Sequence, residues 1–212
     1  MNDLLKYHEG IRSEILDFIP KKYAKVLEIG CGKGGFRKNL LLDCEYWGVE
    51  PYEQVATIAL GELDYVLAST FDDAYDDLPD NYFDLVICND VIEHMDNHYK
   101  FYNKIQKKCV KDAYMIGSIP NVRYISNLFE LLIKKDWKYK EEGILDKTHL
   151  RFFTIKSIKH DFKLFNFKIE KLYGINQIKF SKRTLSGWKM ILFQKILGSD
   201  TRFLQFAFRI KL

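Results

Sequence analysis

Long apolar runs are missing from this chain: none approaches the roughly 18 residues that a membrane-spanning helix requires. Internal repeats and low-complexity segments are missing too, which sets aside solenoid arrays and flexible linkers. Cysteine is sparse, with four residues (Cys31, Cys44, Cys88 and Cys109), no CxxC pair and no metal-ligand spacing. Neither a disulfide framework nor a metal centre is expected from such a pattern, and a reduced, cytoplasmic compartment suits it best. The start, Met1-Asn2-Asp3, is polar and has no secretory core. Basic character is lacking from most of the chain. Counted from Gly174, eight Lys/Arg stand against one Asp, a surplus of seven against a whole-chain total of +4, so the preceding 173 residues are net −3. Any argument about polyanions or membranes therefore rests on the tail.

What is present suits one soluble domain over residues 1–212, with 47% apolar, 29% charged and 15% aromatic residues. Apolar positions from Leu4 to Ile19 recur near helical period up to Pro20, which predicts a capping helix within residues 1–20. Val26 to Ile29 reads as a buried strand running into Gly30-Cys31-Gly32-Lys33-Gly34-Gly35, with a helix from Phe36 to Leu42. Further strands are expected at Tyr46–Glu50, Tyr65–Ala68, Phe83–Cys88 and Ala113–Ile119. Helices are expected at Tyr52–Leu60 and Tyr99–Val110, with one turn within Ser69–Asp80. This alternation predicts a parallel sheet with right-handed crossovers and a ligand beyond the C-terminal strand ends. After Pro120 the pattern changes. Asn127–Lys135 reads as helical, Asp136–Phe153 as a polar-aromatic loop, Ile155–Phe165 as a helix and Lys168–Tyr173 as a strand. The basic segment 174–212 reads as an amphipathic helix (Leu185–Leu197) and a closing strand (Arg202–Lys211).

A strand turning sharply into a helix through glycines gathers backbone N–H groups and the positive end of a helix dipole at one spot. Glu28, just before the first glycine, adds a demand for positive charge, so the expected ligand carries both signs. Glycines 30, 32 and 35 also satisfy GxGxxG, and Glu50 stands 20 residues beyond Gly30, as in dinucleotide sites. A nicotinamide reading is disfavoured: Glu28 would repel a pyrophosphate, a helix precedes the first strand, and too little chain remains for a substrate domain. S-adenosylmethionine (SAM), with its sulfonium, ammonium, carboxylate and ribose, fits better.

The run Val26-Leu27-Glu28-Ile29-Gly30-Cys31-Gly32-Lys33-Gly34, the acid Glu50, and Phe83-Asp84-Leu85-Val86-Ile87-Cys88-Asn89-Asp90-Val91-Ile92-Glu93-His94 resemble the motifs of class I SAM-dependent methyltransferases. Ser118-Ile119-Pro120-Asn121-Val122 and the segment from Gly143 to Thr154 are similar to a bacterial subgroup found with surface-polysaccharide and lipopolysaccharide genes. The resemblance implies a Rossmann-like fold, a mostly parallel seven-stranded sheet with helices on both faces and an antiparallel last strand. It implies that Glu28, Gly30, Cys31, Gly32, Asn89 and Asp90 hold the methionine part and Glu50 the ribose. Pro51 or Tyr52 would cover the adenine, with Ser69, Thr70 and Phe71 on the loop where the family usually offers an Asp.

A hydroxyl acceptor must lose its proton, and histidine titrates in the right range for that. His94 follows the fourth strand and His149 lies in the aromatic loop, so these two are the candidate bases. Candidate acceptor contacts are Tyr7 and His8 in the first helix, Asn121, the guanidinium groups of Arg123 and Arg151, and the rings of Trp137 and Tyr139. The expected activity is O-methylation of a sugar, sugar nucleotide or glycan intermediate. An amine, carboxylate or phosphate-bearing acceptor and a non-catalytic SAM-fold protein are the alternatives. Nucleic acid is not an expected partner, because the fourth strand leads into Asn89-Asp90-Val91-Ile92 and not the Asp/Asn-Pro-Pro-Tyr type of sequence. Lys179, Lys182, Arg183, Lys189 and Lys195 give the tail a face for peripheral contact with an anionic inner membrane. The oligomeric state is left open.

Overall fold

The strand Phe83–Asn89 (β4) is almost wholly buried, as its unbroken run of Leu, Val, Ile and Cys demands of a parallel strand covered on both faces. The computed structural model describes residues 12–181 and 185–212. Beside β4 lie Lys25–Ile29 (β1), Glu45–Val49 (β2), Tyr65–Leu67 (β3) and Cys109–Pro120 (β5), with Lys168–Gln177 (β6) and Phe203–Lys211 (β7) completing the sheet. Its order is β3-β2-β1-β4-β5-β7-β6. The pairs from β3 to β5 are all parallel, and β7 runs antiparallel to both β5 and β6. Strand order reverses between β1 and β4, which opens a crevice at their C-terminal ends.

Alternation along the strands divides the core into two faces. Leu27, Val86, Met115 and Phe208 face Phe101 and Ile105 of α2 (His98–Lys108) and Ile158 and Phe162 of α4 (Ile155–Leu164). Val26, Leu85, Ile87 and Ala207 face Ile15, Phe18, Phe36, Leu40 and Ala59, the last from α1 (Glu53–Ala59). Burying a ring such as Phe162, fully enclosed here, stabilises by roughly 1.5–3 kcal/mol. Local signals fix the helix starts: Asn97 accepts from the Lys100 N–H at 3.0 Å, and Thr154 and Ser157 form a capping box.

Several boundaries differ from expectation. Of the expected first helix, the part up to residue 11 lies outside the described residues, and the rest is a 3₁₀ turn, Ser13–Phe18. Ile15 and Phe18, three apart, share one side of such a turn, and both are buried against the sheet. The turn after the glycines is also 3₁₀, Gly35–Asn39. The stretch expected as a helix at Asn127–Lys135 is a short α-helix, Ile125–Phe129 (α3), that widens into a π turn at Glu130–Lys134. β6 runs four residues beyond its expected end, because β7 pairs with it as far as Gln177.

Candidate active site

Gly30, Gly32 and Gly34 adopt φ of 69°, 55° and 79°, so the residues that need glycine are these and not Gly35. The Gly30 and Cys31 N–H groups both donate to the Val49 carbonyl, at 2.8 and 3.2 Å, which ties the turn to the end of β2. A Cβ on Gly30 would sit 2.7 Å from a methyl of Val91, so the turn is pressed against the segment after β4. The Cys31 side chain is buried beside Gly48, leaving the backbone as its contribution, and burial raises its thiol pKa.

Glu50 is 2% exposed. One of its oxygens accepts from the Gly32 N–H at 2.9 Å and the other from the Tyr52 N–H at 3.1 Å. A carboxylate oxygen has two lone pairs, so each retains capacity for a hydroxyl donor. Glu28 is different. Tyr46 donates to it at 2.7 Å deep in the sheet, and burial, assisted by the nearby Glu50 charge, pushes its pKa up to about 8. In the ligand-free protein burial therefore favours the neutral form of Glu28.

At the ends of β4 and β5, both amide atoms of Asn89 are buried with no partner among the described residues. Asp90 follows in the left-handed region, φ 53°. Ser118 and Gln205 donate to one of its oxygens at 2.8 and 2.7 Å, and the guanidinium of Arg12 pairs with the other. Burial lowers the Arg12 pKa, but Asp90 and Glu14 outweigh it and the net shift is upward.

Next to Asp90 lies a cavity of about 70 Å³ bordered by Glu93, Pro120, Gly143, Ile144, His149 and Gln205. Glu93 is 1% exposed, and neither of its carboxyl oxygens has a hydrogen-bond partner among the described residues. Burial, with the Asp90 charge, holds its pKa well above the usual carboxylate range. The loop reaches this place because the Leu150 and Arg151 N–H groups donate to the Glu93 carbonyl at 2.9 and 3.0 Å. The His94 and His149 rings meet edge to face, with centroids 4.6 Å apart. Burial and the neighbouring His149 lower the His94 pKa. A larger hollow, about 250 Å³, is lined wholly by Leu185–Leu197 (α5) and holds no acid or histidine.

The other expected contacts fall elsewhere. Tyr7 and His8 lie outside the described residues. Pro51 and Tyr52 are exposed at the mouth of the crevice, where Tyr52 precedes α1. Ser69 donates to the Thr70 carbonyl and Thr70 to Asp73. The Phe71 ring is buried against Phe101 at 5.1 Å, so its side chain builds core and only its backbone lies on the loop. Asn121 is fully buried, donating to the Asp200 and Phe203 carbonyls, each at 2.9 Å. Arg123 pairs with Asp200 at 2.7 Å and donates to the Leu197 carbonyl, so these two residues bracket the entry to β7. Arg151 donates to the Asp96 and Leu150 carbonyls. Trp137 and Tyr139 both pack against Phe152, at 5.5 and 6.4 Å. Sequence reasoning missed Arg12, Glu93 and Gln205 as site residues. Glu93 stood beside His94 in the motif, whereas Arg12 and Gln205 carried no spacing signal.

SAM combines a cationic sulfur and ammonium with a carboxylate, two ribose hydroxyls and a flat base. The strand ends fit it: Glu50 offers free acceptor capacity, the glycine turn leaves room for close approach, and the Asn89 amide is buried without a partner. Order of strands and position of site together define the class: a methyl-transfer enzyme with the seven-stranded SAM-binding fold. The sequence profile of the methyltransferase-domain family matches residues 5–172, and the chain belongs to that family.

Solved structures agree on the fold. A SAM-dependent methyltransferase from Archaeoglobus fulgidus is 20% identical with a TM-score of 0.68, covering 98% of this chain and 94% of its own. A possible histamine N-methyltransferase from Thermotoga maritima is 17% identical, TM-score 0.62, covering 98% and 90%. The plantazolicin methyltransferase BpumL in complex with SAH is 14% identical, TM-score 0.60, covering 98% and 82%. No curated protein matches the sequence. The protein is thus a methyltransferase enzyme.

Proposed function

We propose that this methyltransferase methylates a hydroxyl of a sugar, sugar nucleotide or glycan intermediate, at the cavity between Asp90 and His149. Bound SAM supplies a methyl group already activated on a sulfonium. What the chain must add is alignment of the acceptor, worth up to about 7–11 kcal/mol, and removal of the hydroxyl proton. The carrying observation is the state of His149. One ring nitrogen, Nδ1, lies 2.9 Å from the Ile144 carbonyl, which can only accept, so Nδ1 carries a proton, and in the neutral ring the lone pair belongs to Nε2. A buried imidazole fixed in that tautomer suits a hydroxyl acceptor, whereas an amine arriving neutral needs no such group. The resemblance of residues 118–122 and 143–154 to the polysaccharide-linked subgroup supports the sugar.

The test incubates the enzyme with methyl-labelled SAM and pools of sugar nucleotides and oligosaccharides, then seeks products heavier by one CH₂. Transfer to hydroxyls, with His149→Ala losing about 10²–10⁴ in turnover while S-adenosylhomocysteine binding persists, is the expected result. Near-normal turnover in that variant removes His149 as the base, and transfer only to amines removes the hydroxyl reading.

We propose in addition that the enzyme works from the cytoplasmic side against an anionic membrane surface. Trp188, Leu192 and Ile196 are spaced by four on α5 and are 54%, 60% and 74% exposed, with Lys189 and Lys195 on the same helix. Leu131, Leu132 and Ile133 in the π turn are exposed too. No helix among the described residues is long and apolar enough to cross a membrane, so contact would be peripheral. Sedimentation with phosphatidylglycerol vesicles, lost on Trp188→Ser with Leu192→Ser and absent with neutral vesicles, is the expected behaviour.

A further inference from the structure

The Glu93 carboxyl group presents a problem that the hydroxyl-methylation reading leaves unsolved. It is 1% exposed, yet neither oxygen has a hydrogen-bond partner among the described residues. Buried polar groups are paired as a rule, and leaving one unpaired is costly, more so when it is charged. An acid kept in that state implies that something else completes its surroundings.

Two histidines stand beside it. One donor atom from each of Glu93, His94 and His149 lies within 4.8 Å of the others. The His149 Nδ1–H is committed to the Ile144 carbonyl at 2.9 Å, and its Nε2 stands 4.0 Å from a Glu93 oxygen. The His94 Nδ1 lies 3.2 Å from the Thr148 carbonyl, so this ring too carries its proton on Nδ1. Thr148 is locked in turn, its N–H and hydroxyl both donating to Asp146 at 2.7 Å. Each imidazole therefore has its Nδ1 against a backbone carbonyl, which in the neutral ring puts the lone pair on Nε2, the outer arrangement that orients metal-ligating histidines.

We propose that Glu93, His94 and His149 form a binding site for a divalent transition-metal cation at the end of β4, and that the cation receives two neighbouring oxygens of the acceptor. The donor set decides the class. Two imidazoles with one carboxylate suit manganese, iron, cobalt or zinc, whereas calcium and magnesium favour oxygen ligands throughout. Metal–ligand distances of about 2.0–2.2 Å put neighbouring donors about 3–3.5 Å apart, so the three side chains close inward by an ångström or so on binding. Three protein ligands leave open positions for substrate, and His149 and Glu93 border the cavity beside Asp90.

The substrate class follows, and it rests on the hydroxyl-acceptor reading above: a vicinal diol, whose two oxygens fill adjacent open positions. The O–H bond of one hydroxyl breaks, its proton passing to water while the oxygen stays on the cation. That oxygen forms the new bond to the methyl carbon as the sulfur–methyl bond breaks. The electron pair goes to sulfur, leaving a neutral thioether. With metal bound, His149 is a ligand in place of the base role given to it above, His94 is a ligand beside it, and solvent takes the proton.

The test uses protein dialysed against a chelator and titrated calorimetrically with MnCl₂ and CoCl₂. One equivalent of saturable, micromolar binding is expected, with cobalt giving a visible absorption band. Glu93→Gln, nearly the same shape, and His149→Ala should weaken binding by about tenfold or more while S-adenosylhomocysteine affinity stays near wild type, which also shows that the variants fold. Methyl transfer to a diol should fall on chelation and return with Mn²⁺. Absence of saturable metal binding in protein that still binds S-adenosylhomocysteine overturns the proposal, as does equal affinity in Glu93→Gln. Methyl transfer that survives chelation in metal-free protein sinks the metal site and leaves the methylation reading intact. Metal binding without transfer to any hydroxyl does the reverse.

Discussion

Arg12 and Asp90, 78 residues apart in sequence, form an ion pair across the C-terminal ends of β4 and β5. Their side chains are 22% and 21% exposed, so the pair is partly shielded from water. The contact brings Arg12, the residue before the first 3₁₀ turn, to the strand end where the methionine part of the cofactor is expected. Arg12→Ala should therefore reduce the unfolding free energy by about 1.5–3 kcal/mol, the range for hydrogen bonds to charged groups. Urea denaturation measures it, and a loss below about 0.5 kcal/mol would reduce the pair to a surface contact.

Glu50 divides its two oxygens between the Gly32 and Tyr52 N–H groups and keeps lone pairs for a diol. Glu50→Ala should weaken S-adenosylhomocysteine by about 2–4 kcal/mol, or roughly thirtyfold to several hundredfold. Calorimetry decides: an affinity within threefold of wild type would place the ribose elsewhere.

Glu28 makes a signed prediction for pH. Its pKa is raised from the ordinary carboxylate value, about 4.3, to about 8 in the folded protein, because burial disfavours the anion. The folded state holds a proton that the unfolded state has released. The associated stability is complete below about pH 4.3 and is lost as pH rises through 8, by up to about 1.4 kcal/mol per pH unit. Between about pH 5 and 8 the ligand-free wild type should lose stability relative to Glu28→Gln, which has no proton to release. Parallel pH–stability curves for the two proteins would show that Glu28 is ionised in the fold.

Gly30→Ala meets two obstacles at once, a φ of 69° and a Val91 methyl 2.7 Å from the new Cβ. A cost of about 1–3 kcal/mol in stability is expected, with weaker S-adenosylhomocysteine binding. Adding Val91→Ala should recover the part due to crowding and leave the part due to φ. If the double variant is no better than the single one, backbone strain alone sets the cost.

The framework of the site was legible in local sequence. An unbroken buried run marks β4, a strand running into glycines marks the turn, and an acid at the end of β2 marks Glu50. What was not legible depends on partners far along the chain. Asn121, placed between Pro120 and Arg123, reads as an acceptor contact, but it is fully buried by carbonyls 79 and 82 residues away. Phe71 reads as part of a ligand loop because neither Phe101 nor the face that joins them is visible in a linear stretch. Gly34 and Gly35 are interchangeable in a motif, and only the start of the 3₁₀ turn at Gly35 settles which one needs a left-handed backbone. The acid of the expected adenine loop, Asp72, instead binds Lys100 and Lys104 of α2 at 2.8 and 2.6 Å.

The position of β7 between β5 and β6 has a consequence for biosynthesis. β6 leaves the ribosome first but has no neighbour in the sheet until the later strand arrives to separate it from β5. Until then β5 presents an open edge, and Asp90 lacks the amide of Gln205, which only the final strand delivers. Vectorial synthesis thus yields the glycine turn, Glu50 and β4 before β7 brings the Gln205 amide to Asp90.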